Sequence, residues 1–235
     1  MKMRRLISAI IALLLVVNLS VTAFAAEWYL EDGDITVSAG DSGQTVSQGS
    51  STDVADNAPV IKQRDSSKTT DSTITISTSD NATANVTIQD INISSTGDAI
   101  DVGSSSANIT LEGDNKIFSE SGSALHVSDG DVTITGGEIT ANGGSYGAGI
   151  GGGIYGLSNV TIEGNTKVNA TGGAGGAAIG GGAGAENNSD NNGNQITIRS
   201  NENGSPTVNA VGGGTKKGIA DIGGAGIGTG SKSDA

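Results

Sequence analysis

The run "NVTI" at Asn85 returns along the chain as "NITL" at Asn108, "DVTI" at Asp131, "NVTI" at Asn159 and "QITI" at Gln195. The copies stand 23, 23, 28 and 36 residues apart. A second apolar run follows each copy: "INI" at Ile91, "KIF" at Lys116, "EIT" at Glu138, "KVN" at Lys167 and "TVN" at Thr207. A third element closes each unit: "GDAIDV" at Gly97, "GSALHV" at Gly122, "GAGIGG" at Gly147, "GAAIGG" at Gly176, and finally "GIADIGGAGIGTG" at Gly218. Three short strands cannot bury their own apolar face, but a stack of such units can. The chain is therefore expected to be all-β: a right-handed parallel β-helix of about five coils with three strands each. No sustained i, i+3, i+4, i+7 apolar pattern follows Ala26 to argue for helices.

Strand alternation assigns the side chains. Val86, Ile88, Ile109, Leu111, Val132, Ile134, Val160, Ile162, Ile196 and Ile198 point inward. Thr87, Thr110, Thr133, Thr161 and Thr197 then form an outward ladder. In the third strand Ile100, Val102, Leu125, Val127, Ile150 and Ile179 face the core, with Ala99, Ala124 and Ala178 filling a narrow corner. Coils about 4.8 Å apart make five of them a rod of about 24 Å.

Glycine is uneven. Nine of the 39 precede Gly136 and 30 lie from there on, concentrated where the third strand becomes "GAGIGGG" and "GAAIGGG". Gly147, Gly149 and Gly152 also match the G-x-G-x-x-G spacing of a dinucleotide loop, a fingerprint that requires a following helix. The copies at Gly176 and Gly224 instead read as corners where one backbone lies tightly on the next.

The first 25 residues carry a basic start (Lys2, Arg4, Arg5), an apolar run from Leu6 and Ala23-Phe24-Ala25, the pattern of a secretory signal cut between Ala25 and Ala26. The domain reading is 1–25 signal peptide, 26–70 N-terminal cap with a polar loop, and 71–235 β-helix repeats. Trp28 and Tyr29 are expected to plug the open apolar end. Without the signal, 12 − 3 = 9 Lys+Arg face 25 Asp+Glu, a formal charge of −16. Such a charge excludes nucleic acid and anionic membrane as partners, since phosphate binding needs clustered cations. With no cysteine, an exported chain must hold together by packing and backbone hydrogen bonds.

Catalytic patterns are thin. The outward rank Gln89, Glu112, Thr135, Glu163, Arg199 places two acids about 9.6 Å apart, with no Asp pair followed by His. Asp101 and His126 should stand side by side in consecutive coils, with Gly151 at the next place and no nucleophile aimed at them; a surface ion pair is the reading. Asn188, Asp190, Asn192 and Gly193 imitate an EF-hand loop, but Asn188 and Arg199 stand where its first Asp and twelfth Glu belong. No residue is assigned to catalysis or to a metal. Tyr146 and Tyr155 flank the Gly147 to Gly153 run and offer faces on which a sugar ring could stack.

The stretch from Trp28 to Ile61, the "NVTIQDINI" run and the "GAGIGGG" units together resemble secreted surface proteins of clostridia-like Gram-positive bacteria. They are similar to a clostridial carbohydrate-binding β-helix family related to pectate-lyase-like solenoids. The resemblance implies a secreted or cell-surface location, an acidic plant polysaccharide as partner and Ca2+ as an ion that could bind. The expected function is non-catalytic polysaccharide binding; a structural spacer or adhesin segment is the alternative, and a degenerate polysaccharide lyase a weaker one.

Overall fold

The computed structural model describes residues 25–79, 81–156, 158–185, 195–214 and 223–229. The expected signal segment before Ala25 and the Asn188 to Gly193 loop lie outside them. The molecule is a parallel β-helix in which strands stack from coil to coil in three columns. The first column holds Glu27–Tyr29, Val60–Lys62, Thr83–Gln89, the opening halves of Ser106–Ser119 and Asp131–Asn142, Asn159–Glu163 and Gln195–Arg199. The second holds Asn92–Ser95, the closing halves of the same two long strands, Lys167–Thr171 and Thr207–Val211. The third holds Ile35–Gly40, Ile74–Thr78, Ile100–Gly103, Leu125–Val127, Ile150–Gly151, Ile179–Gly180 and Ile227–Gly228.

Five coils, beginning at Thr83, carry all three strands, as the repeats imply. The ladders also run on toward the N-terminus, since Val60–Lys62 pairs with Thr83–Gln89 and Glu27–Tyr29 pairs with Val60–Lys62. The region expected to cap the helix thus supplies rungs of its own. Its hairpin, Gly43–Gln48 with Ser51–Ala55, pairs antiparallel along Ile35–Gly40 and covers the edge of the third column. Trp28, level with Ile61, packs against the core at that end. Tyr29 is held by the polar loop: the Arg64 guanidinium lies 4.1 Å from its ring centre and grips Asp32 through two hydrogen bonds of 2.9 and 2.7 Å.

Alternation does fill the core. Val86, Ile88, Ile109, Leu111, Val132, Ile134, Val160 and Ile162 are buried, as are the inward residues of the third column and Ala99, Ala124 and Ala178. Ile196 is only partly buried, and Ile198 is 41% exposed on the last described rung. Register differs from the simple alignment of the repeats. Asn108 pairs with Thr133 and Ile109 with Ile134, two residues further along than aligning "NITL" with "DVTI" requires. The threonine ladder is therefore two columns: Thr87, Thr110 and Thr135 in one, Thr133, Thr161 and Thr197 in the other. Glu112 is not in rank with Thr135 and Glu163 either; it pairs with Gln89 and ends at a bulge between Leu111 and Asp114. An even slip preserves which face is buried, so the core tolerates it.

The corner between first and second columns is built the same way in successive coils. Asp90, Gly113, Gly136 and Gly164 all have positive φ there (49°, 67°, 75° and 68°). Asn115, fully buried beside it, donates from Nδ2 to the carbonyls of Glu112 and Glu138 (both 3.1 Å) and accepts from Ile91 N–H (3.3 Å). It ties three coils together at backbone groups that the bend removes from the ladder.

Candidate functional site

Two corners and one face of the helix gather side chains that could act on a partner. The first is the tyrosine corner. Ala183 N–H donates to the Tyr146 carbonyl (2.8 Å) and Tyr155 N–H donates to the Ala183 carbonyl (3.0 Å), so one residue of the next coil holds the backbones of both tyrosines. Tyr146 is half-buried, whereas Tyr155 is 77% exposed and its neighbour Ile154 is 53% exposed. Both tyrosines have left-handed backbone, φ 69° and 61°. Ile150 pairs with Ile179, an offset of 179 − 150 = 29, and the same offset takes Tyr146 to Gly175 and Tyr155 to Gly184. Both of those glycines have φ 78°. The next coil thus uses glycine at the two places where this coil spends a tyrosine, against a cost of about 1–2 kcal/mol each for a residue with a Cβ. One side of the Tyr155 ring lies against Gly184, where a Cβ would come within 2.5 Å of it. Gly147, Gly149 and Gly152 lie between the tyrosines, on either side of the two-residue strand Ile150–Gly151, and among the described residues no helix follows them. The dinucleotide spacing therefore has no helix N-terminus to offer a phosphate.

The second corner joins Asp98, Asp101 and His126. Parallel pairing sets His126 beside Asp101, as the alignment of the third strands requires. His126 Nδ1–H donates to Asp101 Oδ1 at 2.8 Å and lies 3.4 Å from Asp98 Oδ2. The hydrogen bond to Asp101 raises the His126 pKa above its ordinary 6.5, with the charge of Asp98 adding to it against partial burial. The same bond lowers Asp101 below its ordinary 3.8. Burial raises Asp98, outweighing the attraction of His126 and the Ser123 N–H that donates to its Oδ1 at 2.7 Å.

Asp98 was not legible from alternation, which puts residues 98 and 101 on opposite faces. Ala99 and Ile100 are both buried at the corner, and that break turns Asp98 outward beside Asp101. The ligand atoms of the three residues lie within 4.8 Å of one another, close enough for a cation. When protonated the imidazole itself supplies a positive charge there, and its Nδ1 is engaged with Asp101. The neighbouring Ser123 directs its hydroxyl to the Gly152 carbonyl (2.8 Å) and accepts from Ala148 N–H (3.2 Å). The arrangement is that of a bridged ion pair, with the Ser123 hydroxyl turned to backbone groups. The two arginines beyond the expected signal are engaged as well, Arg64 with Asp32 and Arg199 with Glu163 (2.6 Å).

The third place was missed by sequence reasoning. Along the second column an open trough of about 310 Å³ is lined by Asn92, Ser94, Lys116, Phe118, Thr140 and Asn142, among others. These are outward positions in register: Asn92, Lys116 and Thr140 form one rank, and Ser94, Phe118 and Asn142 the next. Phe118 is 42% exposed within it. Strand parity marks Phe118 as outward, but only the stacking of three coils makes the neighbouring amides and hydroxyls into a groove around an aromatic ring.

Ala25 is exposed and Ala26 half-buried, with the Ala26 carbonyl accepting from Val60 N–H (3.0 Å). Among the described residues no helix is long and apolar enough to cross a membrane. Compared with known proteins, the chain matches no family model, no curated protein and no solved structure.

Proposed function

We propose that the chain is a secreted or cell-surface, non-catalytic polysaccharide-binding β-helix, with acidic plant glycans as its partner class. The observation that carries this reading is the pair Tyr146 and Tyr155, held in a backbone conformation for which the next coil uses glycine. A side chain kept at a conformational cost, and left 77% exposed at Tyr155, is kept for what it touches outside the molecule. Flat rings beside glycine suit the apolar face of a sugar, and the outward Thr and Asn columns suit its hydroxyls. Without the expected leader the formal charge of 9 − 25 = −16 repels a polyuronate, so binding to an acidic glycan needs a bridging cation such as Ca2+ or a local positive group such as Lys116 exchanging its Asp114 partner (2.8 Å) for the glycan.

Polysaccharide binding measured with and without Ca2+ tests this. Tyr155→Ala, alone and with Tyr146→Ala, is expected to weaken binding about tenfold while the melting temperature changes little, since alanine keeps the Cβ and with it the backbone strain. If Phe118→Ala alone abolishes binding, the trough is the locus; absence of binding to any polysaccharide, with or without Ca2+, overturns the function. Release of unsaturated product from polygalacturonate, followed by ultraviolet absorbance, would instead support the degenerate lyase.

A second reading, a spacer or adhesin segment, is favoured by the last rung. Ile198 and Ile227 are 41% and 46% exposed on the last described rung, at positions whose counterparts in the preceding coil, Ile162 and Ile179, are buried. Such a face suits stacking of further coils.

A further inference from the structure

Asp56 lies at the N-terminal end of the helix with 1% of its surface exposed. Its Oδ2 accepts from Trp28 Nε1–H (2.9 Å) and from Ala26 N–H (3.1 Å), and its Oδ1 accepts from Ala58 N–H (3.1 Å). Its backbone is pinned to Gln44, accepting from Gln44 Nε2 (3.1 Å) and donating to the Gln44 carbonyl (3.0 Å). Three neutral donors thus surround a buried carboxylate, and among the described residues no Lys, Arg or His forms an ion pair with it. A buried charge held this way lacks the opposite charge that normally offsets its desolvation.

One donor is the backbone nitrogen of Ala26, the residue that follows the expected signal cleavage. We infer that Asp56 is the acceptor for a new amino terminus, and that removal of the leader locks the N-terminal end of the helix through an Ala26 ammonium to Asp56 carboxylate ion pair. The inference rests on the secretory reading of the first 25 residues. Hydrolysis by a signal peptidase adds one water across the Ala25–Ala26 peptide, leaving a carboxylate on Ala25 and an amine on Ala26 that takes up a proton. The nitrogen already stands 3.1 Å from Oδ2, and Val60 N–H on the Ala26 carbonyl keeps it there. A neutral N–H donor becomes a charged one with little movement of the chain. Before cleavage the same contact is an ordinary hydrogen bond from an amide N–H to a carboxylate, so the exported form gains what the precursor lacks.

Four chains test the pair: one beginning at Ala26 and one beginning at Ala25, each with Asp56 or Asp56→Asn. Trp28, the only tryptophan, is hydrogen-bonded to Asp56 and reports the unfolding of this end by fluorescence. The chain beginning at Ala26 is expected to melt about 5–10 °C above the one beginning at Ala25, a gap that closes in the Asp56→Asn background. Equal melting temperatures with Asp56 present, or a gap that persists in the Asp56→Asn chains, overturn the ion pair. If the Asp56→Asn chains do not fold, acetylation of the Ala26 amine removes the charge without touching Asp56 and is expected to lower the melting temperature by the same amount. The mass of the exported protein separates the two ideas: a mature chain beginning elsewhere than Ala26 overturns the leader reading and the maturation step, whatever the melting series gives.

Discussion

The single histidine shows how far one side chain can be read. His126 sits between a carboxylate it lowers, Asp101, and one that burial raises, Asp98. Because its folded pKa is above 6.5, its contribution to stability is complete below about pH 6.5 and is lost as pH rises through the folded value. Asp101, lowered in the fold, contributes above about pH 3.8 and loses that contribution as pH falls through its lower folded value. The pair is therefore strongest between about pH 4 and 6.5. Replacing His126 with Gln is expected to cost about 0.5–1 kcal/mol in that window, after allowance for solvent screening of the half-exposed carboxylate, and much less at pH 9. Thermal melts of the two proteins across pH check this; a difference that does not vary with pH contradicts it.

At the scale of the element, glycine columns explain strands only two residues long. Gly151, Gly180 and Gly228 stack in register with φ 134°, 129° and 132°. A Cβ on Gly151 would lie 2.0 Å from the Gly180 carbonyl oxygen, and one on Gly180 would lie 1.9 Å from that of Gly228. These are backbone atoms of an adjoining coil and cannot turn aside. Gly151→Ala is expected to cost upward of about 3 kcal/mol, whereas Gly97→Ala, with no atom within 4 Å of the added methyl group, should change stability by no more than about 0.5 kcal/mol. Denaturant midpoints of the two variants make the comparison, and similar losses at both sites would contradict the stacking argument. The register slip between Ser106–Ser119 and Asp131–Asn142 belongs to the same scale. The two-residue displacement is already present where Ala107 pairs with Val132, and the bulge after Leu111, opposite the left-handed pair Gly136 and Gly137, changes the offset by one residue, from 133 − 108 = 25 to 138 − 114 = 24, a junction that motif spacing alone does not reveal.

For the whole molecule, contacts run from coil to neighbouring coil, so stability is a sum of coils and interfaces, and the ends matter most. The two ends differ. At the first rung the hairpin Gly43–Gln48 with Ser51–Ala55 covers an edge, and Trp28 and Asp56 seal the core. On the last described rung Ile198 and Ile227, in core columns, meet solvent. Native-state hydrogen exchange is expected to show amides of Gln195–Arg199 and Thr207–Val211 opening at least about tenfold faster than those of Thr83–Gln89 and Asn92–Ser95. Equal protection along the rod would show that it opens as one unit.

The repeat determined much of this protein. A motif recurring every 23 to 36 residues, alternating in polarity, leaves stacking as the way to bury Val86, Ile88, Ile134 and Ile162, and it sets Asp101 against His126 because parallel coils pair like with like. Tyr146 and Tyr155 were visible as the aromatics beside a glycine run. Tertiary structure decided what period-2 alternation cannot encode. It turned Asp98 outward at a corner, moved the ladder by two residues, and made a trough around Phe118 from three coils. It placed Tyr146 and Tyr155 where the next coil has glycine, and brought Asp56 to the nitrogen of Ala26 across 30 residues. Alternation is a local property of a strand, whereas corners, register and buried charges depend on which backbone atoms of a neighbouring coil arrive at the same point.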